Sequence, residues 1–153
     1  MYNNFKRWLY RDNRPGLIAR ILNRGWAWVH ASGIAPNWMV TLEVTGRKSG
    51  KIITLPVAMA IVDEERYFVS MLGNDAQWVL NVRAAQGKAW IRAGKRYEVR
   101  LEEVPVEQRP RIVKAYLKVA PGARAHIPVS KDAPVEDFVA IAADFPAFRI
   151  VRV

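Results

Sequence analysis

The densest chemistry in the sequence lies in Thr45-Gly46-Arg47-Lys48-Ser49-Gly50, with Lys51 directly behind it. Two glycines bracket two cations and a hydroxyl. Glycine admits the positive φ that turns successive backbone N–H groups to one side, and the three polar side chains crowd charge and donors around the same point. Such a turn suits an anion: Arg47 can fork onto an oxyanion, Lys48 acts as a point charge and Ser49 donates a hydroxyl hydrogen bond. It is not a nucleotide phosphate loop, because the spacing is G-x-x-x-G-K and Ile52 stands where that motif needs Ser or Thr to reach magnesium. A solvated basic corner is the simpler use of the same residues, and spacing alone leaves both uses open.

Other chemistries find less support. No cysteine is present, so disulfides and thiolate catalysis are excluded. The two histidines, His30 and His126, have no second histidine at metal-ligand spacing, so no metal site is expected. No nucleophile triad or carboxylate pair is evident. A formal net charge of +10 predicts an anionic partner, which leaves nucleic acid, an acidic membrane surface and a polyanionic cofactor. Nucleic acid is disfavoured, since the basic residues are scattered and no RNP, zinc-finger or helix-turn-helix signature appears.

Around the turn the pattern is that of a hairpin. Residues 38–44 alternate as a strand, and residues 52–62 form a second strand, apolar on both faces, so that a flat ligand or a dimer partner is needed to cover it. A third strand is expected over 67–72. Residues 73–75 offer a helix cap for a short helix over 76–85, and a further hairpin spans 89–92 and 96–104, with Tyr97, Val99 and Leu101 on its dry face. Helical patterns follow over 105–119 and 135–143, and a last strand over 148–153. Mostly hairpin-joined strands interleaved with short helices predict an α+β fold, a small antiparallel split β-barrel with flanking short helices.

The 153 residues fit a single domain, with residues 31–153 as the barrel and residues 1–30 as a basic amphipathic helical arm. In the arm, Leu17, Ile18, Ile21, Leu22 and Val29 recur at helical spacing, Arg20 and Arg24 fall on another face, and Trp8, Trp26 and Trp28 add interfacial aromatics. Its apolar face either packs on the barrel or lies on an anionic membrane. Charge breaks Phe5-Lys6-Arg7-Trp8, so the arm does not read as the apolar h-region of a secretory signal. A cytoplasmic protein is expected, peripheral on the inner face of the membrane if the arm binds lipid.

The turn, a proline five residues after Lys51, and the later Trp78-x-x-Asn81-x-x-Ala84 together resemble the deazaflavin-dependent nitroreductase family of split β-barrel flavoproteins, over about residues 38–104. The resemblance implies coenzyme F420 as cofactor, a deazaflavin with a phosphate and a polyglutamate tail. It places Gly46, Arg47, Lys48, Ser49, Gly50 and Lys51 around the anionic tail, Pro56, Val57 and Ala58 behind the ring, and Trp78 and Asn81 at the cofactor. It implies hydride transfer to a small planar acceptor: a quinone, an enone or a nitroaromatic. Ser70 is the candidate acceptor contact, with Tyr116 and His126 behind it. The chain departs from the family at Met71-Leu72-Gly73-Asn74, where many relatives have Lys-Gly-Gly, and Arg83 on the next helix is the nearest replacement cation. FMN in place of F420, and a non-catalytic protein that holds a cofactor or a lipid surface, are the alternatives.

Overall fold

The structure, a computed structural model, describes residues 39–153. The amphipathic arm expected over residues 1–30, and with it the membrane contact, lies outside the described residues. Among those described, no helix is long and apolar enough to cross a membrane.

Seven strands run in chain order as β1 (Met39–Thr45), β2 (Ile52–Ala58), β3 (Ala60–Val62), β4 (Glu65–Val69), β5 (Lys88–Ala93), β6 (Lys95–Glu103) and β7 (Ala147–Arg152). Helix α1 (Gln77–Ala84) lies between β4 and β5, and α2 (Arg109–Val119) follows β6. Short 3-10 segments occupy Val106–Gln108, Pro121–Ala125 and Val135–Asp144. The strands form one sheet in the order β2-β1-β5-β6-β7-β4-β3, with every neighbouring pair antiparallel. Its two outermost strands, β2 and β3, are consecutive in the chain and separated only by Met59. The sheet therefore curls back on itself as a split barrel. The single strand expected over 52–62 is broken at Met59, where the chain leaves β1 and takes β4 as its partner. That break makes seven strands of the six in the sequence pattern.

Side-chain alternation gives the sheet a core on each face. Phe68, Phe148, Met59, Leu42, Ile91 and Val99 point to one side and pack with Val79 and Val82 of α1. Their chain neighbours Val69, Ala147, Ala58 and Ala60 point to the other, under Ile112, Val113, Tyr116 and Leu117 of α2 and Phe138 of the last 3-10 segment. On β3, α2 covers the face bearing Ala60 and Val62, while Ile61 on the other face stays 59% exposed. At the start of β2 the cover stops: Ile52 and Ile53 are 46% and 43% exposed.

Two expected boundaries move for local reasons. The third strand ends at Val69, because the Ser70 hydroxyl donates to the Gly73 carbonyl at 2.7 Å and closes a turn that Gly73 completes at φ +89°. The α1 N-cap is Ala76, with no side-chain cap. Asn74, expected to help cap it, instead donates to the Ala143 carbonyl and accepts from Arg83.

Arg83 also closes a fork on Glu103, with Nε to Oε1 at 2.9 Å and Nη2 to Oε2 at 2.7 Å. The buried Arg109 reaches the same carboxylate at 3.1 Å and donates to the carbonyls of Val104 and Ala142. This knot joins α1, the end of β6, α2 and the last 3-10 segment. The Arg83 hydrogen bonds hold the Glu103 carboxyl below its ordinary range, against the opposing effect of burial. A lowered carboxyl pKa stabilises the fold fully above the ordinary glutamate value, about 4.3, and the contribution is lost as pH falls through the lowered value. Glu103→Gln is expected to cost about 1–2 kcal/mol at neutral pH, a figure kept small because the carboxylate is one-third exposed. Urea unfolding of both proteins across acid pH should show the gap closing as Glu103 protonates; a gap independent of pH would contradict the assignment.

Candidate anion-binding site

The β1–β2 turn is built by its own backbone. Gly46 N–H donates to the Lys51 carbonyl at 2.8 Å, Gly50 N–H to the Gly46 carbonyl at 2.9 Å, and Lys51 N–H to Ser49 Oγ at 3.2 Å. Only one of the two bracketing glycines supplies the positive φ expected of both: Gly50, at +72°. Gly46 is instead closely packed: a Cβ there would stand 2.8 Å from Ser49 Oγ and 3.1 Å from Ile53 Cδ1, so those side chains would have to shift.

Arg47 turns back onto the protein. Its backbone N–H and its Nη1 both donate to Asn81 Oδ1, at 3.0 and 2.9 Å, and its Nη2 donates to Gln77 Oε1 at 3.0 Å. Gln77 and Asn81 are four residues apart in α1 and so share one helix face. Asn81 is 3% exposed, and a buried amide oxygen without donors would be costly, so the two bonds from Arg47 also stabilise the helix. The T-G-R-K-S-G turn and the W-x-x-N-x-x-A helix, separated by some thirty residues in the chain, thereby become one unit. Lys48, Ser49, Gly50 and Lys51 are left exposed at its tip. The two lysines present the positive charge, while Arg47 and Asn81 hold the tip in place. Gln77 was not singled out in the sequence; its position four residues before Asn81 is the signal that would have found it.

The remaining candidates are dispersed. Trp78 is half-buried against Phe148, with ring centroids 5.5 Å apart, and serves packing. Pro56, Val57 and Ala58 alternate along β2 and cannot all back one ring with their side chains: Val57 packs on the first core, Ala58 belongs to the second, and Pro56 lies opposite Thr41 on a strand with a single partner, where its missing N–H is tolerated. Ser70 is fully buried with its hydroxyl committed to the turn, and so offers no group to an acceptor. Tyr116 lies in the second core, and His126 ends the 3-10 turn after α2. Arg83 does not replace the cation missing at Met71-Leu72, because Glu103 and Asn74 occupy it. A cleft of about 140 Å³ between Tyr67, Arg149, Glu102 and Glu103 has its carboxylates already paired with arginines. Among the described residues no cluster of three histidines or carboxylates could hold a metal ion.

A sequence profile of the F420H(2)-dependent quinone reductase family matches residues 28–136, well over half of the chain. No curated protein matches at a significant level. Among solved structures, one described as a domain-swapped dimer aligns with a TM-score of 0.54 at 21% identity, over 86% of this chain and 91% of its own. An F420-H2-dependent reductase (FDR-A) aligns at 0.50 and 20% identity, over 74% and 94%. A putative 5-nitroimidazole antibiotic resistance protein from Bacteroides thetaiotaomicron aligns at 0.53 and 8% identity, over 82% and 78%. At such identities these likenesses establish the split-barrel fold.

If Asn81 is what fixes the turn, Asn81→Ala should release the Arg47 amide. Hydrogen exchange at that amide is expected to speed up about tenfold or more, with a loss of roughly 1–2 kcal/mol in stability. Exchange at Arg47 unchanged in a folded variant would show that the tie does not hold the turn.

Proposed function

The chain belongs to the F420H(2)-dependent quinone reductase family, and from that premise we propose that it transfers a hydride between reduced coenzyme F420 and a planar, electron-poor acceptor such as a quinone, an enone or a nitroaromatic. The observation that carries this reading is the exposed basic tip of residues 48–51, held to α1 through Arg47, Asn81 and Gln77. Its donor set fits a phosphate or a polyglutamate tail: two exposed ammonium groups and a hydroxyl on one turn.

When bound, the deazaflavin supplies the hydride chemistry, which leaves the protein to bind and orient. Lys48 and Lys51 provide the attraction for the anionic end. Because no cation stands at Met71-Leu72 and Arg83 is occupied, these two lysines carry a larger share of that attraction than a turn with further cations nearby would require. Arg47 acts through position: its fork to Gln77 and Asn81 sets the direction of the tip and prevents it from folding into solvent. An already ordered tip loses less conformational freedom on binding, and the affinity of a modest donor set rises accordingly.

Lys48→Ala and Lys51→Ala should each weaken F420 about fivefold, the open position of the turn keeping each charge-assisted bond to about 1 kcal/mol, with the double variant near 25-fold. Both sites are exposed, so folding should be unaffected. Fluorescence titration with oxidised F420, with FMN run in parallel, is the check. Unchanged F420 affinity in the double variant would remove the turn from the site, and tighter binding of FMN than of F420 by the wild type would overturn the cofactor assignment.

A further inference from the structure

On the face of the sheet turned away from the first core, Glu43 is almost completely buried, with its side chain 6% exposed. Each of its oxygens is held by a different arginine: Oε2 accepts from Arg92 Nε at 3.0 Å and Oε1 from Arg96 Nε at 2.7 Å. Arg92 and Arg96 stand directly opposite each other across β5 and β6 and so project from the same face. Each engages Glu43 through Nε alone. At Arg83 the arrangement is different, because Nε and Nη2 both go to Glu103 and the fork is closed. At Arg92 and Arg96 the paired Nη groups lie outside the carboxylate contact, on side chains 42% and 40% exposed. Trp90, opposite Glu43 in β5, lies under the Arg96 guanidinium at 4.7 Å and near Lys88 at 5.5 Å, which fixes the arginine plane.

The charge is not balanced. Arg92, Arg96 and Lys88 are opposed by Glu43 and by Glu98, exposed across from Trp90. Two adjacent guanidinium groups repel, and a second anion would relieve that repulsion while matching both forks. We propose that Arg92 and Arg96, set by Glu43 and Trp90, form a second oxyanion site that takes a carboxylate or phosphate group. It is separate from the β1–β2 turn. Arg92 lies opposite Thr41, whereas the turn begins past Thr45, four residues further along β1 or ~13 Å at strand rise. A carboxylate of a cofactor tail and a free phosphate share the chemistry this site recognises.

The test uses the full-length protein and the double variant Arg92→Lys/Arg96→Lys, which keeps both charges beside Glu43 and removes the forks; its melting temperature checks folding. Inorganic phosphate binding is measured calorimetrically in a Lys48→Ala/Lys51→Ala background, where the turn is disabled, with and without the arginine changes. F420 and a deazaflavin lacking phosphate and tail are titrated in parallel. If a free anion is the ligand, phosphate affinity should fall about tenfold on changing the arginines while F420 affinity holds. If the cofactor tail is the ligand, F420 should weaken about tenfold and the tail-less compound should be unaffected. Neither value changing in folded protein would overturn the proposal. The phosphate arm needs no F420 binding, so failure of this site and failure of the reductase reading give different results.

Discussion

The amide oxygen of Asn81 accepts two hydrogen bonds from one residue, Arg47, and the candidate site depends on that contact. A turn of six residues with two glycines has many conformations in water, and its own backbone bonds define only the loop closure. The buried Asn81 adds what the loop lacks, an anchor outside itself. Gln77 takes the remaining end of the guanidinium, so that a charged side chain and a main-chain amide are fixed together against a helix that is itself packed into the first core. The exposed lysines beyond this anchor are positioned by it.

Barrel closure supplies the second constraint. Because β2 and β3 are one run of chain interrupted at Met59, the hairpin that carries the turn is tied to both ends of the sheet. Movement of β2 would have to pass through β3 and its contact with α2. The same arrangement explains why this run is apolar on both faces: Met59 packs on the first core and Ala58 and Ala60 on the second. At the other end of β2, the exposed Ile52 and Ile53 adjoin the exposed lysines, so the basic tip is flanked by apolar surface.

Local features of this molecule were legible in the sequence. The alternation of Tyr97, Val99 and Leu101 with charged neighbours marks β6, and the residues around Gly46 and Trp78 carry the family resemblance because each motif lies within a few positions. What could not be read is pairing across distance. The break at Met59 leaves no local signal, since nothing in an apolar run says that its hydrogen-bond partner changes. The contacts of Glu43 with Arg92 and Arg96 span 49 and 53 positions and depend on strand register. Glu43 within an apolar strand was a visible sign that some cation must cover it. Arg83 is instructive in the opposite sense: as a cation beside a presumed phosphate site it looked available, and only the fold shows Glu103 closing its fork. Ser70 likewise read as a strand-end hydroxyl, while the fold buries it in a turn.

The central claim, that the anionic cofactor is held at the turn anchored by Asn81, is tested most directly by amide hydrogen exchange of the wild-type protein with and without saturating oxidised F420. Added protection is expected over residues 46–51 and at the α1 face bearing Gln77 and Asn81. Protection confined to other surfaces, with residues 46–51 exchanging as fast as in the free protein, would contradict it.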